Sequence, residues 1–137
     1  MRMPDKKKGT VVLGYVPSPL GHAALEAAIT ECTRRGTNLL VINSTRADRT
    51  VDKNYAFSDD LDTLHGTLKE SGVTHEVRQF VSEQLASDDV IEAADEVDAE
   101  LIVIGVRRRS PVGKILMGSD SQRILLQADC NVLAVKA

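Results

Sequence analysis

Aromatic residues make up 3% of this 137-residue chain, and tryptophan is missing altogether. Any core must therefore be built from valine, leucine, isoleucine and alanine. Cysteine is nearly as scarce. Cys32 and Cys130 are too few for a disulfide framework and lack metal-ligand spacing, so both are expected as small buried thiols in a reducing, cytoplasmic setting. No apolar run approaches the roughly 18 residues of a membrane span. The basic N-terminus, MRMPDKKKG, meets polar sequence and a strand instead of the apolar region of a signal peptide. Nor is there an excess of positive charge: 17 Lys+Arg against 20 Asp+Glu leave a net charge of −3, which argues against a dedicated nucleic-acid binder.

What remains is a chain long enough for one domain with a real core. Residues 1–8 read as a disordered tail, and 9–137 as the domain. Short, β-branched apolar runs at 10–16, 38–43, 101–104 and 132–135 suit strands covered on both faces, as in a parallel sheet. Residues 73–81 place Val73, Val77 and Val81 on one face with charges interleaved, which suits an edge strand.

Helical periods separate these runs. Ser18-Pro19 supplies an N-cap and a proline at the first helical position. Ala24, Leu25, Ala28, Ile29 and Cys32 then share a stripe that ends at Gly36. A second helix is expected from Ser58, with Leu61, Leu64 and Leu68 inward, stopping before Gly72; Asp59, Asp60 and Asp62 favour its dipole. A third begins at Ser87-Asp88-Asp89, again acidic for the dipole, and should bury Val90, Ile91, Ala94 and Val97. A fourth begins at Ser119, with Gln122 completing a capping box, and should bury Ile124, Leu125 and Ala128.

The alternation predicts an open five-stranded parallel α/β sheet with helices on both faces. Right-handed crossovers leave a few doubly wound orders, whose single reversal makes a ligand crevice. If the first and fourth strands are neighbours there, the loops Gly14–Gly21 and Gly105–Ser119 face each other. The second loop carries most of the chemistry. It leaves a buried strand, passes through Arg107, Arg108, Arg109 and Lys114, and ends at a helix N-terminus, where free N–H groups and the dipole attract anions. Gly118 allows close approach of a phosphate, Ser119 adds a hydroxyl, and the arginines can grip phosphate oxygens. A purely structural alternative stays open: Gly118 and Ser119 turn and cap the helix while the arginines are solvated. A P-loop is excluded, because Arg108 stands at the position of its first glycine and Ile115 at that of its Ser/Thr. No G-x-G-x-x-G follows the first strand. His22, His65 and His75 are scattered without ligand spacing, and neither Ser18 nor Ser119 sits in a nucleophile motif. No metal site and no catalytic residue are expected.

On these residues the chain resembles the universal stress protein (UspA) family from about Thr10 to Lys136. Nucleotide-binding members carry G-x2-G-x9-G-[ST] after the fourth strand; Gly105 and Gly118-Ser119 match, and Arg108 stands at the second glycine. Members also carry an Asp and Gly-Ser after the first strand; here Val16 and Pro17-Ser18 stand there. The resemblance implies a Rossmann-like, adenine nucleotide alpha hydrolase-like fold with strand order 3-2-1-4-5. It implies a non-enzymatic stress-response sensor binding ATP, with Mg²⁺ as a companion ion. The nucleotide would meet Val16, Ser18, Asn43 (through backbone, at adenine), Gly105, Arg108, Gly118 and Ser119, with phosphate contacts from Arg107, Arg109 and Lys114. It also implies a homodimer through the last strand, Val132, Leu133, Ala134 and Val135, and the uncharged edge there supports pairing independently. The alternative function is a nucleotide-free interaction module in which Arg107–Arg109 meet an acidic partner. A hydrolase or ligase of a related fold would need S-G-G-x-D-S after the first strand, and Val16-Pro17-Ser18 is not that.

Overall fold

The computed structural model describes residues 9–46, 56, 58–106 and 118–136. The tail expected at 1–8, and Arg107, Arg108, Arg109 and Lys114, lie outside the described residues.

Strands and helices alternate along the chain: β1 (Thr10–Gly14), α1 (Pro19–Arg35), β2 (Asn38–Arg46), α2 (Ser58–Ser71), β3 (His75–Ser82), α3 (Ala86–Glu96), β4 (Leu101–Val106), α4 (Ser119–Gln127) and β5 (Asn131–Lys136). The sheet is parallel, in the order β3-β2-β1-β4-β5. The order reverses at β1, whose Gly14 lies between Ile42 of β2 and Ile104 of β4. The expected fold class, strand order and edge position of β3 are all present.

Strand alternation divides the core in two. Val11, Leu13, Leu39, Val41, Leu101 and Val103 face α1 and α2, whose Ala24, Leu25, Ala28, Cys32, Leu64 and Leu68 are buried against them. Val12, Leu40, Ile42, Ile102 and Ile104 face α3 and α4, meeting Val90, Ala93, Ala94 and Ile124. Each such aliphatic side chain contributes about 1.5–3 kcal/mol when fully buried. The aromatic-poor composition therefore still yields two continuous cores.

Helix ends follow local chemistry at α1 and depart from expectation elsewhere. Ser18 Oγ accepts the Gly21 N–H at 3.1 Å, and Gly36 closes α1 with φ 67°. In contrast, α3 begins at Ala86 after Leu85, an N-cap residue whose own side chain makes no cap bond. Asp88 and Asp89 lie in the first turn of α3 as expected, and Ser87 and Asp89 are also buried there. Asp89 accepts from Gln84 Nε2 at 2.7 Å and from Ser82 Oγ at 3.2 Å, which ties down the loop entering α3. The expected capping box at Ser119 is also corrected: Gly118 is the N-cap, with no side-chain cap bond, and Ser119 is already helical.

Leu125, expected in the core, and Val81 of the edge strand are exposed. Leu125 is 37% exposed because α4 turns Ile124 inward and its neighbour lies about 100° around the helix. Val81 is 62% exposed because the Thr45–Val81 pairing overhangs β1, which ends beside Ile42. Cys32 is buried as expected, whereas Cys130 is half-buried.

Candidate functional site

A cavity of about 260 Å³ opens at the reversal point. Its floor is Gly14, Ile42, Val90, Ile104 and Ile124, and Tyr15 and Val16 form the wall where β1 exits. Ser44, Ser87, Ser119 and Ser121 bring hydroxyl groups, and Asp120 contributes a carboxylate. An apolar base with a few convergent polar groups is the usual make-up of a small-molecule site. The crevice of an open α/β sheet, beyond the carboxyl ends of its strands, is where such sites occur.

Glycines give the crevice its shape. A Cβ on Gly21 would stand 1.7 Å from the Val16 carbonyl oxygen, so the β1–α1 loop can fold back only onto glycine. A Cβ on Gly105 would come within 2.7 Å of Leu20 Cγ and 3.1 Å of the Leu20 carbonyl oxygen. Gly105 therefore admits the first turn of α1, a packing requirement that holds whether or not a ligand is present. Gly118 differs: its φ of −63° suits any residue, and no described atom lies within 4 Å of a Cβ there.

Of the residues expected at a nucleotide, Val16, Gly105 and Ser119 lie together on the wall, whereas Ser18, Asn43 and Gly118 are not part of it. Ser18 is occupied as the α1 cap. Asn43 is wholly buried, and its side chain is a structural bridge. Its Nδ2 donates to the Tyr15 carbonyl at 2.9 Å, and its Oδ1 accepts from Ala56 N at 2.8 Å and from Gln79 Nε2 at 3.0 Å. Its neighbours Ile42 and Ser44 point to the cavity instead.

The sequence reading missed Leu85, Ala86 and Ser87, which reach the wall from the start of α3, and also Asp120 and Ser121. A network joins these two helix starts. Asp120 Oδ1 accepts the Ser87 N–H at 3.3 Å, Arg123 Nε donates to Ser87 Oγ at 3.2 Å, and Arg123 Nη2 meets Asp88 Oδ1 at 2.9 Å. The acidic pairs offered one clue, since Asp88 has a cationic partner one helix away. Tyr15 is buried, and among the described residues no partner meets its hydroxyl. Burial, and then the nearby Asp60 charge, push its pKa upward. His22 stacks obliquely on its ring, with centroids 6.0 Å apart. Among the described residues, no three His, Cys, Asp or Glu side chains are gathered as a metal site, and no helix is long and apolar enough to cross a membrane.

The same architecture recurs in known proteins. A universal stress protein from Mycolicibacterium smegmatis is 48% identical over 126 residues, covering 92% of this chain and 96% of its own. The structure of a universal stress protein from Archaeoglobus fulgidus superposes with a TM-score of 0.79 at 31% identity, covering 94% of this chain and 98% of that one. A universal stress protein structure from the same organism in complex with dAMP superposes with a TM-score of 0.64 at 26% identity, over 94% and 98% of the two chains. The family model for universal stress proteins matches residues 9–136, and with it the chain belongs to the universal stress protein family.

Proposed function

We propose that this protein binds an adenine nucleotide in the β1–β4 crevice, without catalytic turnover, and acts as a cytoplasmic stress-response sensor in a homodimer paired through β5. The observation that carries the reading is the cavity itself: an apolar floor wide enough for a flat base, ending at the N-terminus of α4 beside Ser119. Ile42, Val90 and Ile104 offer the base its dispersion contacts, while the Ser119 and Ser121 hydroxyls and the α4 N–H groups offer donors to a phosphate. The dAMP complex of the Archaeoglobus fulgidus relative supports the ligand class. ATP fits this donor set at its base and first phosphate. The further phosphates would fall to Arg107, Arg108, Arg109 and Lys114, and Mg²⁺ would supply charge neutralisation with hard oxygen ligands.

Isothermal titration with ATP and Mg²⁺, and separately with AMP, tests the reading. Saturable heat with adenine ligands and none with a pyrimidine nucleotide is expected; no heat from either at millimolar ligand rejects it.

A second reading has its own observations. Gly105 is required by Leu20, Ser18 by the α1 cap and Asn43 by its bridge, so these matches to the nucleotide pattern have structural reasons. Val16 also offers no side-chain acceptor. These points favour a nucleotide-free interaction module. Nucleotide released from the purified protein, seen in a mass spectrum, would decide against it.

A further inference from the structure

We infer that Asp120 tunes the charge selectivity of this site, opposing each added phosphate charge on an adenine ligand. The inference rests on the adenine-nucleotide reading above and adds to it the number of phosphates.

Asp120 is the one formally charged side chain on the described wall, and it lies between two wall serines, Ser119 and Ser121. A helix N-terminus normally presents positive potential to an anion. Here the second residue of α4 already places a carboxylate in that field. Its Oδ1 also accepts the Ser87 N–H at 3.3 Å. The starts of α3 and α4, neither capped by its own N-cap side chain, thus share one negative charge at the cavity.

The neighbouring cation is paired elsewhere. Arg123, the cation of the same helix, is turned to Ser87 Oγ and Asp88. No ion pair joins Asp120 to a cation among the described residues. A ligand seated in a cavity of about 260 Å³ puts its phosphates well within a screening length of this carboxylate. Each added negative charge meets a like charge at close range, whereas an uncharged nucleoside meets only a hydrogen-bond acceptor for its hydroxyls.

The test is isothermal titration in EDTA of adenosine, AMP and ATP against the wild type, Asp120→Asn and Ser121→Asp. Asn keeps an oxygen for the Ser87 N–H, so the thermal unfolding midpoint of Asp120→Asn should fall only slightly, by the loss of one charge–dipole interaction. Arg107, Arg108, Arg109 and Lys114 are common to all three proteins and cancel in the comparison. Asp120→Asn should tighten ATP by about tenfold, AMP by about threefold and adenosine by less than about twofold. Ser121→Asp should weaken the ligands in the same graded order, and both effects should shrink at high salt. If all three bind and ATP gains no more than adenosine, the charge role is overturned while the adenine site stands. If none of them binds to any of the proteins, the adenine reading fails and this inference falls with it.

Discussion

Gly21 and Gly118 flank the same crevice, and side chains at the two positions should have opposite consequences. At Gly21 a methyl group would overlap the Val16 carbonyl oxygen, a backbone atom that can move only with the whole β1–α1 loop. Gly21→Ala should cost about 2–4 kcal/mol in urea unfolding, at or beyond the upper end of ordinary overpacking. At Gly118 the backbone is extended, at the N-cap of α4, with no side-chain cap bond present. Asp suits that position, so Gly118→Asp should hold or raise stability by a few tenths of a kcal/mol. The same carboxylate stands where a phosphate would rest, so nucleotide affinity should fall steeply. Unfolding and titration curves on one sample check both signs; a loss of stability in parallel with binding would make Gly118 structural. Tyr15 supplies a third residue-scale outcome. Its raised pKa means that the folded state holds its proton more tightly than the unfolded chain does. The resulting stability is fully present below about pH 10 and is lost as pH rises through the folded-state value. Tyr15→Phe should remove that alkaline loss. It should also leave stability at pH 7 equal or up to about 1–2 kcal/mol higher, because the buried hydroxyl has no partner to lose among the described residues. Urea midpoints at pH 7 and pH 11 for both proteins measure this.

Among the elements, α3 and α4 are held together by charge as well as by packing. The Asp88–Arg123 pair is partly exposed, with side chains 29% and 37% accessible, so its worth should be modest. A double-mutant cycle of Asp88→Ala and Arg123→Ala should give a coupling of about 0.5–1 kcal/mol; a coupling near zero would leave the latch to Ser87 and Asp120. This latch also shows where sequence reading stops. Each helix was legible by itself: its apolar period, the Ser18 cap and the Gly36 stop follow from local chemistry. The rotation of α4 was not, because Ile124, Leu125 and Leu126 are equally apolar and only contact with Val90 and Ile104 decides which turns inward. The roles of Ser87 and Asp120 were hidden for the same reason. In sequence each sits in the first turn of a different helix, where the dipole already accounts for it, and only the crossing of the two helices brings them to one wall.

For the molecule as a whole, β-branched runs and right-handed crossovers made the sheet and its crevice legible; of the glycine pair read from the sequence, Gly105 lines the cavity and Gly118 does not. Where Asn43 goes was not legible, since a strand residue faces the cavity or the core according to register, and Asn43 faces the core. The same sheet order leaves β5 at an edge. It pairs with β4 on one side, and no described strand pairs with its outer backbone groups. Val132, Leu133, Ala134 and Val135 carry no charge to deter pairing, and Leu126 on the preceding helix is 84% exposed. An apolar, uncharged edge of this kind is stable in solution only when covered. If a second copy covers it, the amides of β5 that do not bond to β4 should exchange slowly with deuterium at high protein concentration and quickly on dilution. Amides of β1, enclosed by β2 and β4, should show no such dependence. Equal protection of β5 at all concentrations, together with a monomer mass by sedimentation, would rule out the homodimer and leave the edge covered by the protein's own chain.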